Sequence, residues 1–277
     1  MVQRKSANIP VYIILAIAVL LISLPLYMSL IVAFKTPLEN MQSFFAFPNS
    51  LYLGNFRTIL SRQGYFRSLF NSFFITSLSL LGMVLLWPAA AYAIARKMGE
   101  NRIYKYLYFF ILLGIFIPFQ VRMVPLVRLA NSLGLANVNG IIVLYIAGSV
   151  AEAIFLYVAY IHTIPPDLEE AARIDGATTL HTYVRIMLPL MKPIIATVLI
   201  KDALWIWNDF MLALLMLNRS INYWTLTLFQ YNFRFQFSSD PTLIMTSFVL
   251  AMIPVMVVYL FAQKHIIGGL MSGGIKA

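Results

Sequence analysis

Long apolar stretches alternate with short polar loops along this chain, and the lengths of those stretches decide the fold class. A hydrocarbon core about 30 Å thick takes roughly 20 helical residues. Residues 10–33, 68–95 and 241–263 carry no charged side chain, and each is predicted to cross a membrane as one helix. Three further stretches carry charge. Lys105 and Arg122 stand near the ends of 103–124, where long cationic side chains reach the interface. Glu152 lies near the middle of 141–161, and 189–217 holds Lys201, Asp202 and Asp209. The pattern predicts an all-α membrane protein, a single transmembrane domain over 1–277 with six spanning helices and a polar loop at 162–188.

Six spans put both termini on one side, and the Lys and Arg bias chooses which. With the N-terminus in the cytoplasm, eleven Lys and Arg fall inside against eight outside, and the dense loop from Arg96 to Lys105 lies inside. Both termini are therefore expected to be cytoplasmic. The apolar run after Arg4 and Lys5 is too long for the core of a secretory signal and is read as the first span. Prolines 25, 88, 118, 193 and 254 fall within spans, where each removes a backbone donor and introduces a kink.

Composition narrows the chemistry. The 277 residues are 61% hydrophobic and 11% charged, with a net charge of +10. So few charges exclude a nucleic-acid surface of the usual kind. Without cysteine, disulfide frameworks and thiolate metal sites are excluded too, and only His162, His181 and His265 remain as imidazole ligands. Neither a nucleophilic triad nor a metal cluster stands out, so the chain is not expected to be an enzyme. The phosphate-cradling pattern Gly-x-x-x-x-Gly-Lys-Ser/Thr is missing, so nucleotide hydrolysis would belong to another chain.

The loop at 162–188 is patterned. Asp167 followed by Glu170 resembles a capping box, acids fill the first turn, and Gly176 is placed to end a helix of about two turns in a left-handed conformation. So short a helix must lean on something else. Leu168, Ala171, Ala172 and Asp175 would form a narrow face of mostly small residues, and Thr178 or Thr179 would cap a second short helix. As a purely structural matter these residues suit a capped turn.

The string Glu170-Ala171-Ala172, then Gly176, then Ile186 with Leu188-Pro189, resembles the EAA motif in membrane subunits of bacterial ABC importers. The fuller run from Glu170 to Ala177 is similar to the carbohydrate-uptake branch, and to its smaller six-span permease of maltose-transporter type. Asn55-Phe56, Asn71-Ser72, the run from Ala91 to Arg96, Trp207-Asn208-Asp209 and the tail from Gly268 to Lys276 carry the same resemblance. The tail departs from the family in ending on Lys276-Ala277. The resemblance implies ATPase coupling through Glu170, Ala171, Ala172, Asp175 and Gly176. It also implies a second homologous permease, two ATP-binding subunits that hold ATP and Mg outside this chain, and an external solute-binding protein. The host compartment would be the bacterial cytoplasmic membrane.

Charge inside the fifth span needs a reason, since each such group costs at least about 2.5 to 3.5 kcal/mol there. On one continuous helix Lys201, Asp202, Trp205, Asn208 and Asp209 share an arc about 120° wide, with Trp207 nearly opposite. That arc either lines a translocation pathway or joins helices, Lys201 then pairing with an acid such as Glu152. After the fifth span, Phe229, Tyr231, Phe233, Phe235 and Phe237 alternate strictly, which predicts an extended segment with one aromatic face. The resemblance gives that loop a role at the binding protein, through Gln230, Tyr231, Asn232, Phe233 and Arg234.

The expected function is translocation of an oligosaccharide. An importer of glycerol-phosphate esters would need more positive charge than Lys201 supplies. An ion-coupled transporter acting alone would use Glu152, Asp202 and Asp209 as its sites.

Overall fold

The computed structural model describes residues 9–236 and 240–274, which contain helices and no strand. In chain order these are α1 (Ile9–Ala33), α2 (Pro37–Gln42), α3 (Gly54–Leu60), α4 (Tyr65–Lys97), α5 (Arg102–Leu113), α6 (Phe119–Ser132), α7 (Val138–Ile161), α8 (Asp167–Ile174), α9 (Thr179–Thr182), α10 (Leu188–Leu190), α11 (Lys192–Asn208), α12 (Met211–Leu217), α13 (Leu226–Gln236) and α14 (Pro241–Gly274). Four unbroken segments are long and apolar enough to cross a membrane: Pro10–Ala33, Tyr65–Lys97, Val138–Ile161 and Pro241–Leu260. Two bent helix pairs bring the number to six if each pair is one span. Prolines 25, 88 and 254 sit inside α1, α4 and α14, which run on through them, while Pro193 falls in the first turn of α11.

Two stretches depart from the sequence pattern. Residues 103–124 are not one helix. α5 passes through a 3-10 turn at Gly114–Phe116, and α6 begins after Pro118 at an angle of 105°. Ile117 is extended, with φ −94° and ψ 105°, because proline forces the residue before it out of the helical region. In the fifth stretch α11 stops at Asn208, and Asp209 is extended before α12 resumes. The arc drawn on one continuous helix therefore ends one residue short of Asp209.

The described residues form two compact units, one within 9–65 and 229–254, the other within 66–228 and 255–274. In the first unit the C-terminal end of α1 is held by side chains that donate to carbonyls left free at the helix end. Asn55 Nδ2 donates to Ala33 O at 3.0 Å and to Lys35 O at 2.8 Å, and Thr246 Oγ1 donates to Ala33 O at 3.2 Å. The aromatic alternation expected to give an extended segment instead lies on α13. Phe229 and Phe233, four residues apart, stack with ring centroids at 5.8 Å, and Tyr65 meets Phe229 edge-on. Phe237 lies outside the described residues, as do Arg4, Lys5, Lys276 and Ala277.

The second unit packs α4, α7 and α11 around a core that includes Ala91, Ile94, Ile154, Tyr157, Ile161, Met187, Met191 and Val198. Asn71 Nδ2 donates to the carbonyls of Asn222 and Trp224, and Ser72 Oγ accepts from the Leu226 amide. The Asn71-Ser72 pair thus ties the start of α4 to the loop ahead of α13.

Candidate functional site

The loop after α7 builds α8 on a proline rather than on a capping box. Pro166 occupies the N-cap, and its carbonyl accepts from the Glu169 and Glu170 amides. Asp167 is therefore already the first helical residue rather than the cap, and no side-chain bond closes the helix start. At the other end the helix closes as expected. Gly176 has φ +82°, its amide reaches Arg173 O, and the Ala177 amide reaches Ala172 O, the paired bonds of a Schellman motif. Thr178 Oγ1 then caps α9 by accepting the His181 amide.

Of the small-residue face expected to receive another protein's surface, only Ala172 is buried, and the side turned inward is led by Glu169. Glu169, only 4% exposed, and Ala172 are buried, while Leu168, Glu170, Ala171 and Asp175 are exposed. Glu169 accepts from Tyr92 Oη at 2.6 Å and from Arg96 Nε at 2.7 Å, and Arg96 Nη2 donates to Ile164 O. Tyr92 and Arg96 belong to the last turns of α4, so a charge-assisted clamp fixes α8 to that span. Sequence reasoning passed over Glu169 for its exposed neighbour. The signal was available in Tyr92 and Arg96, four residues apart and so on one face of α4. On the free side Ala172, Asp175, Gly176, Thr178, His181 and Ile186 line an open recess of about 470 Å³.

A second cavity of about 590 Å³ lies among α6, α7, α11 and α12. Of the five arc residues, Lys201, Asp202, Trp205 and Asp209 line it. Asn208 does not, because its amide donates back to Leu204 O of its own helix at 2.8 Å. Lys201 Nζ stands 2.7 Å from Glu152 Oε2 and 3.0 Å from Oδ1 of Asp202, whose exposure is 0%. The Lys201–Glu152 pairing expected of the helix-joining reading is present, and it lies in the wall of this cavity. Asp209 Oδ2 accepts from Tyr145 Oη at 2.7 Å, and Trp205 meets the Tyr145 ring edge-on. Arg122, expected at the membrane interface, instead lines this cavity, and Gln120, Gly148 and Ser149, which the sequence did not single out, complete much of the wall. For Gly148 and Ser149 the signal was the spacing of Tyr145, Gly148, Ser149 and Glu152, which places all four on one face of α7. Trp207, across α11, packs against Phe73 with centroids at 4.8 Å.

Residues 230–234 do not share one face. Gln230 Nε2 donates to Ser247 O and Phe233 is buried, whereas Arg234 is exposed and Tyr231 and Asn232 are half-buried. An α-helix spreads five consecutive residues around its circumference, so the single aromatic face expected of an extended segment is absent.

Residues 89–270, which contain the clamp, both recesses and α8, match the family described as binding-protein-dependent transport system inner membrane component. The chain is 45% identical to the multiple sugar-binding transport system permease protein MsmG of Streptococcus mutans, over 96% of each chain. It is 33% identical to the melibiose/raffinose/stachyose import permease protein MelC of Bacillus subtilis, over 91% of each. Its fold is similar to that of a bacterial ABC transporter involved in the import of the acidic polysaccharide alginate, with a TM-score of 0.81 and 24% identity, covering 93% of this chain and 95% of that one. With the match spanning its helical core and the relatives spanning nearly its whole length, the chain belongs to the binding-protein-dependent inner membrane components, as a permease of the carbohydrate ABC importers.

Proposed function

We propose that this chain is one of two homologous membrane subunits of an importer for an uncharged oligosaccharide, driven by ATP hydrolysed with Mg on two partner ATPase subunits. An external solute-binding protein delivers the sugar, the membrane is the bacterial cytoplasmic membrane, and both termini and α8 face the cytoplasm. The observation that carries the reading is the two-sidedness of α8. Its buried Glu169 grips α4, while Glu170, Ala171, Asp175 and Gly176 stay exposed for an ATPase surface. A helix clamped in this way moves with whatever docks on it, so closure of the ATPases is passed to α4. The core packing of α4 against α7 and α11 carries the displacement to the cavity.

Cavity chemistry supports a neutral sugar. The carboxylates of Glu152 and Asp209 stand in the cavity wall as acceptors suited to sugar hydroxyls, and Trp205 offers an apolar ring face. Lys201 is engaged by two carboxylates, which suits a phosphate ester poorly. Relatives named for multiple sugars, for starch degradation products and for melibiose, raffinose and stachyose favour the same substrate class.

The test is purification in mild detergent followed by reconstitution into vesicles. Copurification of a second permease and an ATPase, with raffinose-type sugar uptake that requires enclosed ATP and the binding protein, is expected. Uptake indifferent to ATP and abolished by a protonophore would instead assign Glu152, Asp202 and Asp209 to ion coupling.

A further inference from the structure

The segment between α2 and α3 folds back along the first span. Tyr27 lies six residues before the end of α1, about 9 Å down its axis at about 1.5 Å per residue. Its hydroxyl donates to Phe45 O at 3.0 Å, and its ring meets that of Phe47 edge-on with centroids at 5.6 Å. Side chains on a helix lean toward its N-terminus, so the tyrosine hydroxyl sits no nearer the end of α1 than its own Cα. The apolar stretch Pro10–Ala33 is 24 residues, about 36 Å long, against a hydrocarbon core of about 30 Å. Tyr27 and the carbonyl it holds therefore lie below the hydrocarbon edge.

Backbone polar groups at that depth need partners within the protein. They have them. Lys35 Nζ donates to Ser43 O at 2.9 Å and to Phe44 O at 3.2 Å, Tyr27 serves Phe45 O, and Ser43 Oγ accepts the Ala46 amide. Three successive carbonyls are thus satisfied by side chains, and Lys35 is only 1% exposed because its ammonium is committed to them. Meanwhile the apolar side chains turn outward, Phe45 at 66% and Phe47 at 74% exposure, beside a span none of which is buried over its most apolar window.

We propose that residues 44–47 form a lipid-seated wedge, with Phe45 and Phe47 inserted at the boundary of headgroups and acyl chains, so that the partner of this surface is the bilayer itself. The wedge pins the exit of α1 at a fixed depth, and Lys35 is the internal counterpart that lets a non-helical backbone stay there. Naming the leaflet as the outer one rests on the proposed topology; insertion does not.

Because the chain has no cysteine, single labels are clean. Phe45→Cys, Phe47→Cys and, as a control, Asn49→Cys are spin-labelled in the complete importer with cysteine-free partner subunits. The complexes are placed in vesicles of phosphatidylcholine and phosphatidylglycerol. Labels at 45 and 47 should collide several-fold more with dissolved oxygen than with a water-soluble nickel chelate, and the label at 49 should show the reverse. Nickel access at 47 equal to that at 49 would place the segment in water and overturn the proposal. Low access to both reagents would place it under the second permease or the binding protein, and would overturn it as well. Neither result bears on sugar or ATP, so the proposed function stands or falls separately.

Discussion

Replacing Glu169 with alanine removes the carboxylate that joins α8 to α4 and strands the Arg96 cation and the Tyr92 hydroxyl. Taking one partner from a buried ion pair costs about 3 to 5 kcal/mol. Arg96 keeps 18% side-chain exposure and its bond to Ile164 O, so water and that carbonyl recover part of the loss. The low end, about 3 kcal/mol, is the expected cost. At about 1.4 kcal/mol per tenfold, the ratio of clamped to released α8 falls roughly a hundredfold. An eight-residue helix does not hold its place alone. The assay is sugar uptake and ATP hydrolysis measured together in vesicles holding the full complex. Glu169→Ala should leave insertion intact and collapse the sugar moved per ATP. Tyr92→Phe, which removes one bond to a charged acceptor, should lower the same ratio by less. Glu170→Ala serves as contrast, since it deletes an exposed carboxylate and should weaken ATPase association while the clamp survives. An unchanged transport-to-hydrolysis ratio in Glu169→Ala would refute the clamp as the mechanical link.

Gly176→Val places a β-branched side chain at φ +82°, a strain of about 1 to 2 kcal/mol, and should abolish uptake without loss of inserted protein; wild-type uptake would remove Gly176 from the coupling turn. Lys201→Met leaves Glu152 and Asp202 without their shared cation and should lower the amount of protein in the membrane, with partial recovery in the double variant carrying Glu152→Gln; equal amounts in all three would show that the triad is not structural. Asn208→Ala should be nearly silent because its amide serves only its own helix, whereas Asp209→Ala frees Tyr145 Oη and should reduce uptake; the opposite order would contradict the cavity geometry. The backbone amide of Thr36 holds Glu39 below its ordinary value of 4.5, so its bonds to Thr36 contribute fully above that pH and are lost as the pH falls through the lowered one. The protection factors of the amides of residues 38–42, corrected for the intrinsic pH dependence of exchange, should therefore fall in acid, and Glu39→Gln should flatten that dependence.

How much of this could be read from sequence varies with the physics involved. Spans announce themselves through length and hydropathy alone, and four of six appear as single helices. Pro118 was readable as a kink but not as a 105° break, since the size of a bend depends on whether the freed backbone groups find other partners. Phe229 and Phe233 stand both two alternations apart and four residues apart, so an extended strand and a helix bury the same rings. Only the packing against Tyr65 decides between them. The polar arc was largely legible because Lys201, Asp202 and Trp205 precede the break, while Asp209 reaches the cavity through a turn that no helical wheel describes. Glu169 stayed hidden for a different reason. A carboxylate beside an exposed carboxylate looks like solvent-facing charge until a guanidinium seventy-three positions earlier is known to meet it.

The break before α6 has a consequence for the lipid as well. Arg102–Phe116 rises only about 22 Å at about 1.5 Å per residue, several ångströms short of an average bilayer. A membrane meets so short a belt by thinning around it or by tilting its neighbours, at a cost that grows with every ångström of mismatch. On the proposed topology acyl-chain length thereby becomes a mechanical load on the flank where α5 meets its break, and longer chains should press there before they are felt along the longer α4 and α7.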